Sequence, residues 1–321
     1  MIAAKTFPKE INWRVFFQRY GLLLALILLC IVLSLASDRF LTSSNLLNVL
    51  RQSSINGIIS LGMMLVILTR GIDLSVGSVL ALSTVIGVDM LKNEGMPVVQ
   101  AIGICLLVGA AAGAVNGVLV SWLNIPPFIA TLGMMTFARG AAKFYTDGQP
   151  ISGLDQLGQG FRLLGTAEPL GIPMPIIVAG LVFLAGYVLL NHIPFGRYIF
   201  GLGDNEEAAY LSGLPVRLIK MFVYVAAGAL SALAGIILVG RLNSAQPTAG
   251  EMYEFDAIAA VVVGGTSFDG GEGTIMGTLV GVLIIGIIDN GLNLLDVSSF
   301  YQDITKGAVI ALALLLHRAI R

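Results

Sequence analysis

MPVVQAIGICLLVGAAAGAVNGVLVSWL, residues 96–123, contains no charged side chain. A helix rises about 1.5 Å per residue, so roughly 20 apolar residues cross the ~30 Å hydrocarbon core of a bilayer. This stretch exceeds that length and has room to tilt. In lipid the backbone must pair its own polar groups, which makes a transmembrane helix of it. The rest of the chain repeats the signal. Hydrophobic residues make up 56 % and charged residues 12 %, and mean hydropathy is +0.90. Soluble domains carry about 25 % charged residues. The expected fold is an all-α integral membrane protein of about ten transmembrane helices (8–10), some short or interrupted by Gly or Pro, in a single domain over 1–321.

Windows of low charge place the spans. They fall at 20–36, 51–70, 74–91, 96–123, 126–142 after the Pro126-Pro127 break, 174–190, 221–240, 257–264, 274–288 and 304–316. The eighth is too short to cross unless flanking residues extend it or it forms half of a re-entrant hairpin. A polar stretch over 143–171 separates the fifth from the sixth. The apolar run after the N-terminal segment is followed by Asp38 and Arg39, not by a small-residue cleavage site, and reads as a retained first span. Lys5, Lys9, Arg14 and Arg19, Arg197, Arg217 and Lys220, and Arg318 and Arg321 share one side on a ten-span count. The positive-inside rule makes that side cytoplasmic, with both termini, and puts 143–171 outside.

Composition and motifs exclude several chemistries. A net charge of −1 offers no basic surface to nucleic acid. Cys30 and Cys105 sit inside apolar runs and read as small hydrophobes. His192 and His317 are too far apart for a metal site. The turn GGTSFDGGEGTIMG (264–277) has no Gly-Lys-Ser/Thr, and no Gly-Lys pair occurs anywhere in the chain, so no phosphate loop is expected. No hydrolase or metalloprotease motif appears.

Glycine is abundant, with 39 residues, and partly periodic. Gly109, Gly113 and Gly117 fall at fourfold spacing, as do Gly273, Gly277 and Gly281. Each series is expected to place a smooth stripe on a helix face for close packing, within the subunit in preference to between subunits. VILTRGIDLSVGSVLALSTVIG (66–87) and AVVVGGTSFDGGEGTIMGTLVG (260–281) share an apolar run, a Gly/Asp turn and a Gly/Ser-dotted helix, the pattern of a loose internal repeat with interrupted helices. Charged residues border spans rather than occupy their centres. Asp73 is expected to cap the helix that begins at Leu74. Asp73, Ser75, Asn290 and Asn293 are the candidates for a pathway or structural role.

The strongest polar break is GLGDNEEAAYLSGLP, residues 201–215. Asp204 or Asn205 can cap a short helix there, Glu206 and Glu207 suit the positive end of its dipole, and Ala208 and Ala209 keep one face small. Gly213 can take the left-handed conformation that closes the helix, and Pro215 forbids its continuation. A short capped helix between two spans presents a face to a soluble partner.

Five stretches together carry a family resemblance. They are FLTSSNLLNVLRQSSINGIISLGMMLVILTRGIDLSVGSVLAL (40–82), PPFIATLGMMTFARGAAKFYTDGQPI (126–151), PFGRYIFGLGDNEEAAYLSGLPV (194–216), SAQPTAGEMYEFDAIAAVVVGGTSFDGGEGTIMGTLVG (244–281) and NGLNLLDVSSFYQ (290–302). In order and spacing they resemble the ribose/xylose/arabinose/galactose branch of bacterial ABC importer permeases, nearest to the ribose permeases.

The resemblance implies a permease subunit of an ATP-driven monosaccharide importer in the bacterial inner membrane, carrying a pentose such as ribose. It implies a second copy of the chain, a cytoplasmic ATPase with two nucleotide-binding halves that holds the ATP and magnesium, and a periplasmic sugar-binding protein. No cofactor is expected in this chain, and no enzymatic role. On the same resemblance, 191–220 is the cytoplasmic coupling segment, and Gly201, Asn205, Glu206, Glu207, Ala208 and Gly213 seat in the ATPase. Asp204 departs from the small or polar residue of many relatives and adds negative charge to the docking face. Alternatives are a proton-coupled secondary sugar carrier, disfavoured because no span carries a central carboxylate, an ABC permease for another small solute such as a branched-chain amino acid, and a lipid-acting membrane enzyme, which lacks a nucleophile–base pair.

Overall fold

Where the apolar runs lie, helices form, and where Pro, Gly or a short polar side chain interrupts them, the helices stop. The computed structural model describes residues 13–154, 158–298, 300–302, 304–308 and 311. In order these are α1 (Trp13–Ala36), α2 (Ser43–Leu68), α3 (Val76–Lys92), α4 (Val98–Ser121), α5 (Pro127–Tyr145), β1 (Ile151–Ser152), α6 (Gln159–Thr166), a single 3₁₀ turn (Pro169–Gly171), α7 (Met174–Asn191), α8 (Pro194–Asp204), α9 (Glu206–Leu211), α10 (Val216–Leu242), β2 (Ser244–Ala245), α11 (Tyr253–Val263) and α12 (Ile275–Leu294). The all-α expectation holds. Among the described residues five helices, α2, α4, α7, α10 and α12, are each long and apolar enough to cross a bilayer.

The helix starts follow local chemistry. Thr42 Oγ1 accepts from Asn45 N and opens α2 well before the expected residue 51. Pro127 and Pro194 occupy the first turns of α5 and α8, where the missing N–H has no intrahelical use. Thr274 Oγ1 accepts from Gly277 N at 3.0 Å and opens α12. α10 begins at Val216, directly after Pro215, so the last residues of the expected 191–220 segment form its first turn. Arg217 and Lys220 can lie along a spanning helix there because long cationic stems reach back to water.

α2 is the central helix. Of its most apolar window 78 % is buried, against 28 % for α4 and 28 % for α7. α2 packs against α7, α10, α11 and α12. The outer helices show apolar side chains outward, among them Leu28, Ile31, Leu107 and Leu181, as a lipid-facing surface requires. Two ends alternate along the chain. One end gathers 69–70, 122–126, 192–215 and 264–274, tied by Arg70 Nε on Gly203 O at 2.7 Å and Gly271 N on Leu68 O at 3.0 Å. The other gathers β1, α6 and β2, where Ile151 pairs with Ala245 and Ser152 with Ser244. We call these the α9 end and the α6 end.

Close helix packing rests on glycine. A Cβ on Gly109 would lie 2.5 Å from Gly228 O, and one on Gly117 2.6 Å from Met221 Sδ. Gly113 sits against the Tyr224 carbonyl between them. These partners run backwards along α10 as α4 advances, so the two helices are antiparallel and the whole stripe is spent inside the subunit. The second stripe is shorter than expected. Gly277 and Gly281 meet the Gly264 and Ala260 backbones of α11, but Gly273 precedes the helix and packs on the Thr266 side chain. The extended Thr274 cap, at φ −138 and ψ 141, separates Gly273 from the helical register.

The short eighth span is an interrupted crossing. After β2 the chain descends through a run of turns at 246–252 and only then enters α11. Gly250 lies against Gly77, in the first turn of α3. Arg139, on α5, donates from Nη1 to Pro247 O and Ala249 O, both at 2.8 Å. Gly250 and Met252 take left-handed conformations, φ 71 and φ 70. The tenth expected span falls largely outside the described residues, which include 304–308 and 311 of it as helix. The 143–171 stretch is more than a polar linker. Phe161 is buried and Gly165 packs on the backbone of Gly240, so α6 caps the end of α10.

Candidate functional site: the α8–α9 elbow and the polar interior

At the α9 end, α8 and α9 meet in an elbow at Asn205. Asn205 is extended, φ −152 and ψ 102, and its Oδ1 accepts from Ala208 N at 2.9 Å. Asn205 is therefore the cap, while Asp204 is the last residue of α8. Glu206 and Glu207 occupy the first turn of α9. Gly213, at φ 80, donates its N–H to Tyr210 O at 2.9 Å and closes the helix. Ala209 is the buried residue of α9, whereas Glu206, Glu207, Ala208, Tyr210 and Leu211 face outward. Tyr210 and Leu211 are 70 % and 77 % exposed, which leaves an apolar edge beside the carboxylates. Sequence reasoning missed that edge, although the spacing of Tyr210 and Leu211 after Ala209 was visible.

The two carboxylates differ. Lys220 Nζ holds Glu206 Oε1 at 2.6 Å. Glu207 forms no ion pair among the described residues and is the acid offered to solvent. Beside them lies a cavity of about 590 Å³, lined in part by Asn124, Glu207, Tyr210 and Arg217. Gly201 is exposed on α8, and a Cβ there would meet nothing within 4 Å.

Arg70 fastens the elbow to the end of α2. The last carbonyls of a helix lack intrahelical donors. Arg70, just beyond α2, supplies them for α8, with Nε on Gly203 O at 2.7 Å and Nη2 on Asp204 O at 2.6 Å. Gly270 and Gly271 close over the same spot with left-handed φ of 77 and 72, and a Cβ on Gly270 would lie 2.6 Å from Arg70 Cγ. The elbow, the end of α2 and the α11–α12 turn are thus one joint. The two segments with the repeat-like pattern meet here.

The interior polar residues are dispersed. Asp73 Oδ1 accepts from Ser75 N at 2.8 Å and from Ser75 Oγ at 2.6 Å, and Asn116 Nδ2 donates to Ser75 Oγ at 2.9 Å. Asp73 and Ser75 are 2 % and 1 % exposed. Gly71 touches Tyr224 OH, eight residues into α10 and about 12 Å along its axis. Asp73 therefore lies inside the bundle rather than at a span end, and it organises the turn before α3, which starts at Val76. Asn290 exchanges two amide bonds with Asn45, at 3.0 and 2.9 Å, and ties α12 to α2. Asn293 is exposed near the α6 end and accepts from Gln302 Nε2 at 2.9 Å. The four candidates do not converge on one cavity.

Buried carboxylates also occur where the sequence placed none at a span centre. Lys306 Nζ lies 3.0 Å from Asp256 Oδ1 and 3.4 Å from Asp289 Oδ2, and joins α11, α12 and the helical residues 304–308. Asp256 and Asp289 each stood one residue outside an expected span, 257–264 and 274–288, and the fold sets both within helices because α11 starts at Tyr253 and α12 continues to Leu294.

Comparison with known proteins adds a second line. The family described as branched-chain amino acid transport system / permease component matches residues 45–314. The ribose import permease protein of Bacillus subtilis is 52 % identical over 314 residues, covering 98 % of this chain and 97 % of its own. That of Haemophilus influenzae is 51 % identical, covering 91 % and 90 %. The galactose/methyl galactoside import permease protein of Escherichia coli is 38 % identical, covering 92 % and 93 %. No solved structure matches the chain.

Proposed function

Because the chain belongs to the family described as branched-chain amino acid transport system / permease component, we propose that it is the membrane-spanning permease subunit of an ATP-driven importer of ribose. The observation that carries the sugar is the 52 % identity to a ribose import permease along 98 % of the chain. The amino acid in the family's description is a poorer guide, since the relatives that match along nearly the whole chain are sugar permeases. The chain is a multi-pass inner-membrane transport subunit and not an enzyme. It works with an ATPase and a periplasmic sugar-binding protein.

Finer features belong to the same proposal. Two copies form the pathway, both termini face the cytoplasm, and the ATPase brings two nucleotide-binding halves with ATP and magnesium. The 191–220 segment is the coupling element. Asn205 and Gly213 shape α9, Glu207 and the Tyr210–Leu211 edge meet basic and apolar groups of the ATPase, and Ala208 and Gly201 permit close approach. ATP closes the ATPase halves, α9 moves with them, and the Arg70 joint passes the motion to α2 and the α11–α12 hairpin, which switches the opening from one face to the other.

Uptake of labelled ribose into vesicles tests the reading. Transport is expected only with the ATPase, ATP and the binding protein together. Uptake driven by a proton gradient in vesicles lacking the ATPase would overturn it. Orientation has its own check: an impermeant thiol reagent is expected to miss Glu207→Cys in intact cells, and labelling from outside reverses the proposed topology.

A further inference from the structure

The irregular segment 246–252 is exposed where lipid cannot be its neighbour. It lies at membrane depth, because Gly250 packs on Gly77 and Arg139, six residues inside the end of α5, holds the Pro247 and Ala249 carbonyls. Thr248, Glu251 and Met252 are nonetheless exposed. Non-helical backbone at this depth is stable only when protein covers it or water fills the space beside it. An acidic side chain at this depth obeys the same rule. Glu251 reaches Lys143 Nζ at 3.9 Å, with both side chains about half exposed, so the pair is not sealed within one copy of the chain. Next to it, α5 turns Gly133, Thr136 and Gly140 outward, and a Cβ on either glycine would meet nothing within 4 Å.

Resting on the importer reading above, we propose that 246–252 and the Gly133–Thr136–Gly140 face of α5 form a wall of the water-filled sugar pathway. Its chemistry suits a neutral polyol. Thr248 and Glu251 offer a hydroxyl and a carboxylate, the turns offer backbone polar groups, and the two glycines open the α5 backbone beside the exposed Leu132 and Phe137, whose apolar faces suit the C–H side of a sugar ring. Arg139 acts as a positioning residue behind the wall: its guanidinium takes two carbonyls of the interrupted segment from the α5 side. The buried Asp73–Ser75 turn stands directly behind the wall, because Thr131 on α5 donates to Ile72 O at 3.0 Å and Gly250 packs on Gly77, whereas Asn290 is engaged with Asn45.

Single-cysteine variants test the assignment in the intact complex of permease and ATPase, after Cys30 and Cys105 are replaced. Thr248→Cys and Thr136→Cys are expected to react with a charged, membrane-impermeant methanethiosulfonate at least about tenfold faster than the outward-facing Leu107→Cys and Leu181→Cys, because a thiol in lipid stays protonated and sees no charged reagent. The rates are expected to differ between the ATP-bound and nucleotide-free complex, and modification of Thr248→Cys to block uptake. If Thr248→Cys fails to assemble, Met252→Cys carries the same comparison. Rates equal to those of the two lipid-facing controls overturn the wall. Fast labelling of the wall in a complex that carries no ribose keeps the wall and overturns the sugar assignment, so the two failures are separable.

Discussion

Replacing Asn205 with alanine tests whether α9 depends on its cap. α9 spans only six residues, Glu206–Leu211. Isolated helices shorter than about 12 residues are marginal in water, so α9 stands on its flanking contacts. Those are the 2.9 Å bond from Ala208 N to Asn205 Oδ1, the buried Ala209, the Gly213 closure and the half-exposed Lys220–Glu206 pair. An exposed ion pair contributes about 0–1 kcal/mol. Loss of a side-chain N-cap costs about 1 kcal/mol, against a few tenths for glycine at the same position. At 1.4 kcal/mol per decade, 1 kcal/mol is about a fivefold change in the formed-to-unformed ratio of α9. Titration of the ATPase onto the permease in nanodiscs is therefore expected to show the apparent Kd of Asn205→Ala raised by up to about fivefold, the full factor where α9 is largely unformed before docking. Asn205→Ser, which keeps a capping oxygen, is expected to match the native chain, and Asn205→Gly to fall between. Equal losses for Ala, Gly and Ser would refute the capping argument and point to direct contact by the Asn205 amide. No loss for Ala would remove α9 from the docking face.

Gly213→Pro removes the N–H on Tyr210 O and forbids the φ of 80, so uptake is expected to vanish while membrane insertion, read by protein yield, stays unchanged. Arg70→Ala cuts both bonds to the end of α8; ribose uptake is expected to fall about tenfold at unchanged ATPase association, measured by uptake and co-purification. Gly113→Val drives a side chain into the Tyr224 backbone and is expected to lower stability by about 1–3 kcal/mol in detergent melts, whereas Gly103→Ala, with open space around it, is expected to be silent. Arg139→Ala leaves the Pro247 and Ala249 carbonyls short of a donor and is expected to cost about 2 kcal/mol in the same melts, with Arg139→Lys intermediate because it loses the fork but keeps the charge.

Much of the molecule is dictated locally and was therefore legible in one dimension. A continuous apolar run such as 96–123 has few alternatives to a spanning helix, because lipid provides no hydrogen bonds. The capped helix at 205–213 is equally local: a side-chain oxygen at Asn205, acids in the first turn and a glycine that accepts a positive φ all act within one or two turns. Depth and partnership are not local. Asp73 looked like a cap at a membrane edge, yet the 71–75 turn folds back to the level of Tyr224. Gly273 shared the spacing of Gly277 and Gly281, but the Thr274 cap removed it from their helix. Asn290 reads as a free polar group until Asn45, 245 residues away, is brought against it. Arg139 bordered a span in the sequence, and only the tertiary fold set it on the carbonyls that make an interrupted crossing stable. Hydropathy and capping act over neighbouring residues, so the chain alone determines that it spans a membrane and presents α9. Which charges are buried, which glycines touch and which irregular backbone meets water depend on contacts between distant segments, and those were decided when the helices packed.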